Sequence, residues 1–219
     1  MTGAVSVTWL FDPLCGWCYG AAPAIHHLAG QAGVVLDPLP VGLFAGSGAF
    51  PMNDGFARHA WSADQRIARL SGQPFTEAYR LKVLGAAAGR VDSGPATLAL
   101  TAVRLAAPAD EVVTQELAAL EAIQRARYVD GEDNADPAVI AGVLERLGMA
   151  AAAARFRSPD PSLAAADRAR VAAGREAMRR MDVRGVPALI LGKGVGARLL
   201  DAGQLFGPVD ALVAAVAAG

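Results

Sequence analysis

The only two cysteines, Cys15 and Cys18, lie three positions apart in the segment F-D-P-L-C-G-W-C-Y-G, residues 11–20. A disulfide needs Cα atoms roughly 4.4 to 6.8 Å apart, and residues i and i+3 in a first helical turn meet that requirement. The pair can therefore form a reversible disulfide. In such a pair the first cysteine is the more exposed and attacks, so Cys15 is the predicted nucleophile and Cys18 the resolving cysteine.

The flanking segments predict how the pair is positioned. Residues 5–11 are rich in valine, tryptophan, leucine and phenylalanine and predict a short buried strand, which Asp12 and Pro13 end. Residues 19–32 are alanine-rich and predict a helix. This order puts Cys15 at or just before a helix N-terminus, where unpaired N–H groups and the helix dipole favour the reactive thiolate.

Two less reactive interpretations of the cysteines stay open. Free cysteines are often inert, buried apolar residues. A zinc site would need two further ligands, but there is no second C-x-x-C, and the only histidines are His26, His27 and His59. We interpret His26 and His27 as a surface or half-buried pair and predict no metal site.

The composition of the chain limits the kinds of function that it can have. The chain has 219 residues, is 53% apolar and carries a net charge of −1, which favours a large core and argues against nucleic acid or an anionic membrane as partner. Its N-terminus lacks a basic leader before an apolar segment, and no stretch matches a membrane span. We therefore predict a cytoplasmic protein, in which a lone C-x-x-C is better explained as a cycling redox pair than as a structural disulfide.

The rest of the chain predicts an α/β fold with the pattern β-α-β, a helical block, and β-β-α. Residues 34–41 predict a strand parallel to the first, near a sheet edge because of Pro38 and Pro40, and residues 42–51 a loop. Residues 185–192 and 197–200 predict a hairpin around G-K-G-V-G, and residues 209–218 a helix. The predicted parts are residues 1–45 and 182–219, forming one sheet domain, and residues 46–181, forming an inserted helical domain.

Between residues 53 and 181 we predict helices and no strand. Helix starts are predicted at Ser62 with Gln65, Asp110, Asp136 with Pro137, and Asp160 with Pro161. The aromatic residues of this block are interpreted as core, and the arginine-rich stretch after residue 167 as a solvated face.

Pro187 is the last residue that the sequence singles out. It stands at the start of the predicted strand after Val186, where a cis peptide could present the Val186 backbone beside the cysteines as an edge for a bound peptide. An ordinary trans proline at a strand start is the alternative, and X-Pro statistics favour it.

The segments D-P-L-C-G-W-C-Y-G and G-V-P-A-L-I-L resemble the DsbA-like branch of the thioredoxin superfamily, in particular its cytoplasmic members with a C-x-W-C motif. The resemblance implies a thioredoxin-like fold with an inserted helical domain, Cys15 and Cys18 as the redox pair, and Val186 with cis Pro187 packed against them. Gly16 and Trp17 stand where periplasmic members have proline and histidine, so a strongly oxidising potential is not implied.

The expected function is that of a thiol:disulfide oxidoreductase of the protein disulfide oxidoreductase or isomerase type. Partners would be protein or peptide thiols and disulfides, or small thiols, with Trp17 and Tyr19 flanking an apolar patch. No cofactor is expected beyond the redox disulfide, with glutathione as a candidate co-substrate, and a homodimer is compatible with the apolar composition.

Two alternatives remain at this stage. Kappa-class glutathione transferases and hydroxychromene-carboxylate isomerases share the architecture, but typically carry serine where Cys15 stands. A non-catalytic binding module with a vestigial cysteine pair is the other. Reactivity of the two thiols separates both alternatives from an oxidoreductase.

Overall fold

The computed structural model describes residues 4–218. Within these residues the strands are β1 (Val5–Phe11), β2 (Val34–Pro40), β3 (Phe50–Pro51), β4 (Arg90–Val91), β5 (Ala188–Leu191) and β6 (Arg198–Leu200). The helices are α1 (Gly16–Ala29), α2 (Asp54–Ser71), α3 (Glu77–Tyr79), α4 (Gly94–Ala106), α5 (Val112–Arg125), α6 (Pro137–Arg146), α7 (Ala150–Arg157), α8 (Pro161–Arg180) and α9 (Val209–Ala217). Wider π-type turns extend α3 over Arg80–Leu84 and α5 over Ala126–Asp130.

Four strands form the central sheet in the order β2–β1–β5–β6. β1 pairs in parallel with β2 and antiparallel with β5, and β5 pairs antiparallel with β6. The predicted β-α-β unit, the predicted hairpin and the edge position of the strand with Pro38 and Pro40 are all confirmed. The fold is therefore thioredoxin-like, with the helical segment inserted between β2 and β5.

The insertion is not entirely helical. β3 and β4 form a two-residue antiparallel ladder, with Phe50 opposite Val91 and Pro51 opposite Arg90. The prediction of a plain loop over residues 42–51 and of no strand after residue 53 is wrong at this ladder. Two residues are too few to produce the alternation by which a strand is recognised in a sequence.

Helix starts follow the sequence where an acidic cap precedes proline. Asp136 accepts from Ala138 N at 2.8 Å and Asp160 from Leu163 N at 2.7 Å, as predicted. The predicted start at Ser62 is wrong, because α2 begins eight residues earlier at Asp54. Asn53 caps it by accepting from Phe56 N at 2.9 Å. The start predicted at Asp110 lies one residue before the observed cap, Glu111.

The core runs continuously from the sheet into the insertion. Trp9 and Phe11 of β1 belong to the same buried hydrophobic cluster as Leu100 of α4 and Leu120 of α5. Burial of this shared apolar surface is the dominant favourable term in holding the two parts together.

Part of the arginine-rich stretch faces inward, which corrects its interpretation as a solvated face. Arg170 pairs with the fully buried Glu116 and donates to Pro38 O at 3.1 Å. Arg175 donates to Val41 O and Gly42 O, both at 2.9 Å. These side chains bind the backbone at the end of β2, because the guanidinium group carries several donors in a fixed fork.

Candidate active site

Cys15 occupies the N-cap position of α1. Its backbone is extended, with φ −81° and ψ 115°, and its carbonyl accepts the first helical bond from Tyr19 N at 3.0 Å. The helix thus starts at Gly16, three residues before the predicted start. Sequence reasoning placed Cys15 at or just before the helix N-terminus, and the structure confirms this.

The two thiols differ in exposure. Cys15 retains 7% of its surface, whereas Cys18 is fully buried in the first turn of α1. Both are free thiols. Burial raises the pKa of the Cys18 thiol well above its ordinary value, and the hydrogen bond with Cys15 raises it further. Cys18 is therefore held as a thiol, and Cys15 is the cysteine that a substrate can reach.

The loop before β5 closes the site from the other side. The Val186–Pro187 peptide bond is cis, and Cys15 Sγ donates to Val186 O at 3.4 Å although the residues are 171 positions apart. The structure therefore brings together all of Cys15, Cys18, Val186 and Pro187.

Trp17 lies at the rim of the site. Its ring meets Phe206 edge-on at 5.3 Å, and the guanidinium of Arg66 lies over it at 5.3 Å from the centroid. Tyr19, predicted to flank the same patch, is instead fully buried and stacks on Tyr128 at 4.8 Å. It points into the core because it sits one helical position beyond Cys18, on the face of α1 that packs on the insertion.

Two concave spaces meet at Trp17 and Val186. One, the outer groove, has a volume of about 570 Å³ and is lined by Trp17, Arg66, Leu70, Val186, Pro187 and Phe206, among others. The other, the inner cavity, has a volume of about 260 Å³ and includes Cys15, Asp64, Tyr79, Arg127, Tyr128 and Val186 in its lining. A substrate sulfur that reaches Cys15 thus has space on either side of it.

The inner cavity contains a polar cluster that sequence reasoning treated as plain core or did not mention. Tyr79 Oη donates to Asp64 Oδ2 at 3.0 Å, and Tyr128 Oη donates to Leu14 O at 2.8 Å, beside Cys15. Arg127 retains only 2% of its surface and lies 5.5 Å from the Tyr79 ring. No local motif marks these residues, since α2, α3 and α5 bring them together only in the folded chain.

Asp12 is a second buried carboxyl near the cysteines. It is fully buried and accepts from Leu14 N at 2.9 Å, Ser93 Oγ at 2.7 Å and Phe44 N at 3.3 Å. Burial raises its pKa, and the hydrogen bonds from Ser93 and the two backbone groups oppose that shift. Asp12 therefore connects the cysteine turn, through Leu14, to Phe44 and to Ser93 of the insertion. Its three hydrogen bonds hold this turn in place.

No cluster of three or more His, Cys, Asp or Glu side chains suited to a metal ion occurs between residues 4 and 218. His26 Nε2 lies 3.3 Å from Glu121 Oε2, and both side chains are exposed. The structure gives no observation in favour of a zinc site.

The fold and the site together define a class. A C-x-x-C pair starts the helix after the central strand and faces the residue before a cis proline, on a β-α-β…β-β-α sheet. This is the arrangement of a thioredoxin-fold disulfide oxidoreductase. The sequence profile of the DSBA-like thioredoxin domain family matches residues 6–212, so the chain belongs to this family.

Solved structures agree with that assignment. The cytosolic disulfide reductase DsbM from Pseudomonas aeruginosa is 29% identical, with 96% of each chain covered and a TM-score of 0.82. The same protein solved with GSH is 30% identical over 96% of each chain, with a TM-score of 0.77. A putative protein disulfide isomerase from Nitrosomonas europaea is 25% identical over 95% of this chain and 94% of that one, with a TM-score of 0.73. Comparison with curated proteins gave no match.

Proposed function

We propose that this protein is a disulfide reductase that works by thiol–disulfide exchange at Cys15 and Cys18. The observation that carries the proposal is the placement of Cys15 at the N-terminus of α1, 3.4 Å from Val186 O, with Cys18 fully buried behind it. Cys15 lines the inner cavity and can be reached from it, whereas Cys18 is within reach only of Cys15. This division of roles is what a two-step exchange requires.

The exchange proceeds in two steps. The Cys15 thiolate attacks one sulfur of a substrate disulfide, forming a mixed disulfide and releasing the other sulfur as a thiolate. Cys18 then loses its proton and attacks Cys15 Sγ, releasing the second substrate thiol and closing the Cys15–Cys18 disulfide. The substrate gains two electrons and the enzyme pair loses them, so a cellular thiol must reduce the pair again.

The substrate would approach along Val186 and Trp17. The backbone before Pro187 offers hydrogen-bonding groups to an extended peptide, and the outer groove offers the apolar rings of Trp17 and Phe206 beneath a flanking segment. Arg66 at the same edge favours substrates that carry a carboxylate. Protein disulfides, or small disulfides such as that of glutathione, fit this surface.

Two points support reduction in the cytoplasm. The 29%-identical structure is that of a cytosolic disulfide reductase, and the same protein has been solved with GSH. The residues between the cysteines are Gly16 and Trp17, with no imidazole to stabilise the thiolate of the reduced form. Among residues 4–218, no helix is long and apolar enough to cross a membrane. Glutathione is then the proposed reductant of the Cys15–Cys18 disulfide.

The first experiment equilibrates the protein with glutathione redox buffers and counts free thiols by alkylation. We expect a two-electron transition at about −270 to −200 mV, the range of thioredoxin and glutaredoxins, together with reduction of insulin disulfides. A transition near −120 mV would instead identify an oxidant. Thiols that stay unreactive would overturn the proposal and favour a binding module.

The second experiment traps the intermediate. In Cys18→Ala, attack by Cys15 is unimpaired but the mixed disulfide cannot be resolved, so we expect a covalent adduct with substrate on a non-reducing gel. Cys15→Ala should form no adduct, because Cys18 is buried. Equal adduct formation by both variants would show that the roles of the two thiols are not divided in this way.

The glutathione transferase or isomerase alternative has less support. A 2-hydroxychromene-2-carboxylate isomerase is 19% identical with a TM-score of 0.57, a likeness that concerns the fold. Cysteine at both positions 15 and 18 favours the redox reaction. Homodimer formation stays a prediction, which size-exclusion chromatography can test.

A further inference from the structure

Asp64 is a buried carboxyl beside the reactive cysteine, and the exchange described above does not use it. It lies on α2 in the wall of the inner cavity that also contains Cys15, and only 4% of it is exposed. Tyr79 Oη donates to Oδ2 at 3.0 Å, and within residues 4–218 this is the only hydrogen bond to the carboxyl. Oδ1 is therefore available to a group inside the cavity.

Oδ1 lies against Gly16, the residue that follows Cys15. A Cβ atom at position 16 would stand 2.3 Å from Oδ1, far closer than non-bonded atoms pack. Glycine between the cysteines thus lets the Asp64 carboxyl reach the backbone of the C-x-x-C turn. The contact joins a residue of the insertion to the redox motif itself.

The surroundings of Asp64 determine its protonation. Titratable and charged groups face the cavity from α1, α2, the α3 and α5 turns and the segment before β5: Cys15, His59, Tyr79, Arg127, Tyr128 and Arg184. Burial raises the pKa of Asp64 to about 7, while the Tyr79 hydrogen bond and the Arg127 charge lower it. The carboxyl therefore holds its proton in slightly acidic solution and loses it in alkaline solution.

We propose that Asp64 is the acid that protonates the thiolate released when Cys15 attacks a substrate disulfide. The proposal rests on the proposed function. The Cys15 thiolate bonds to one substrate sulfur, and the electron pair of the broken S–S bond leaves on the other. That sulfur takes the Asp64 proton and departs as a neutral thiol, and the carboxylate regains a proton from water. Cys15 is oxidised, the released sulfur is reduced, and Asp64 only exchanges a proton.

The test compares Asp64→Asn with the wild type on two disulfides that differ in their leaving thiol. Glutathione disulfide releases an alkyl thiolate, which is basic, whereas 5,5′-dithiobis(2-nitrobenzoate) releases an aromatic thiolate that is stable without a proton. In single-turnover reactions of the reduced protein at pH 6, we expect Asp64→Asn to be about tenfold slower with glutathione disulfide. The two proteins should agree within about twofold with the aromatic disulfide, since a weakly basic thiolate leaves readily.

The pH profile identifies the titrating group. The rate ratio of wild type to Asp64→Asn with glutathione disulfide should fall towards one above pH 8, where Asp64 is ionised. Tyr79→Phe removes the donor that stabilises the carboxylate, so the pKa of Asp64 rises. The ratio of the variant's rate with glutathione disulfide to its rate with the aromatic disulfide should then fall at a higher pH than the same ratio in wild type. This second variant keeps the carboxyl and its test does not depend on the behaviour of Asp64→Asn.

Alkylation of Cys15 by iodoacetamide separates an acid from a simple electrostatic influence. No thiolate leaves in this reaction, so its pH profile should be the same in Asp64→Asn and wild type. A matched control, Asp54→Asn, changes an exposed carboxyl on the same helix and should leave all three reactions unchanged.

Each other outcome has a distinct meaning. Equal rates of wild type and Asp64→Asn with glutathione disulfide would overturn the proposal, and so would a parallel change in alkylation, which would mean that Asp64 sets the thiolate fraction of Cys15. Failure of the wild type to reduce either disulfide would overturn the proposed function instead.

Discussion

At the residue scale, the two buried carboxyls near the cysteines differ in the number of hydrogen bonds that they accept. Asp12 receives hydrogen bonds from Leu14, Ser93 and Phe44, whereas Asp64 receives one, from Tyr79. A buried carboxylate with few donors destabilises the folded state unless it takes up a proton. Such a residue lowers the stability of the folded protein, which is consistent with a role in the reaction and not in stabilising the fold.

The raised pKa of Asp64 predicts that the difference in stability between wild type and Asp64→Asn depends on pH. Its folded-state pKa of about 7 lies above the ordinary 3.8, so the folded chain binds the proton more tightly and stability is lost as pH rises through this window. Asp64→Asn removes the titration and keeps an acceptor for Tyr79. We expect its stability relative to wild type to increase between pH 4 and pH 8 by up to about 4 kcal/mol.

Urea unfolding at pH 4 and pH 8 measures this difference. Asp54→Asn, on the exposed start of α2, is the control and should show no comparable change between the two pH values. A stability difference between Asp64→Asn and wild type that is the same at both pH values would contradict the raised pKa.

At the element scale, glycines set how closely helices approach the sheet and one another. A Cβ at Gly174 in α8 would stand 2.4 Å from Pro40 O at the end of β2, where backbone cannot move aside. A Cβ at Gly142 in α6 would meet only the end of the flexible Arg146 side chain, at 3.5 Å. Both glycines lie within helices, so alanine changes helix propensity at both positions but creates a close contact only at Gly174. Comparing the two variants therefore separates the effect of helix propensity from that of packing.

We predict opposite effects of alanine at these two positions. Gly142→Ala should stabilise the protein by about 0.5–1 kcal/mol, because alanine loses less backbone entropy in a helix. Gly174→Ala should destabilise it by about 1–3 kcal/mol, because α8 must move away from β2. Chemical denaturation of both variants checks this, and a stabilising Gly174→Ala would disprove the close approach of α8 to β2.

At the scale of the whole molecule, Glu116 connects the insertion to the sheet. It is fully buried on α5, pairs with Arg104 of α4 at 2.9 Å and with Arg170 of α8. Arg104 also reaches Asp37 of β2 at 3.2 Å, and Arg170 donates to Pro38 O. We therefore propose that residues 46–181 and the thioredoxin-like part unfold together, in spite of the domain boundaries suggested by the sequence.

Glu116→Ala tests this coupling. Removing one partner of a buried ionic network leaves the arginines unpaired, and we expect a loss of about 3–5 kcal/mol. Far-ultraviolet circular dichroism and tryptophan fluorescence should follow the same single transition in wild type and variant. Glu145→Ala, which breaks the exposed pair with Arg157, should change stability little. Two separate transitions in the wild type would contradict cooperative unfolding.

The sequence by itself determined the redox pair, its place at a helix start, the β-α-β unit and the final hairpin. These features are local: a C-x-x-C spacing, a valine-rich run before it, Asp-Pro helix starts and a hairpin around G-K-G-V-G. They depend on backbone preferences and apolar patterns over a few neighbouring residues, and these are visible in the sequence itself. The resemblance to the DsbA-like family rested on two short segments, D-P-L-C-G-W-C-Y-G and G-V-P-A-L-I-L.

Apart from Val186 and Pro187, tertiary structure alone decided what surrounds the cysteines. No sequence motif marked Asp64, and Tyr79 and Tyr128 were interpreted as ordinary core. Tyr19 was predicted to flank an apolar patch beside Trp17, and Arg170 to lie on a solvated face. Their actual environments arise from contacts between segments far apart in the chain, such as Asp64 against Gly16 and Arg170 against Glu116. Local patterns carry no record of such contacts, because burial and charge partners are fixed only when the helices pack on the sheet.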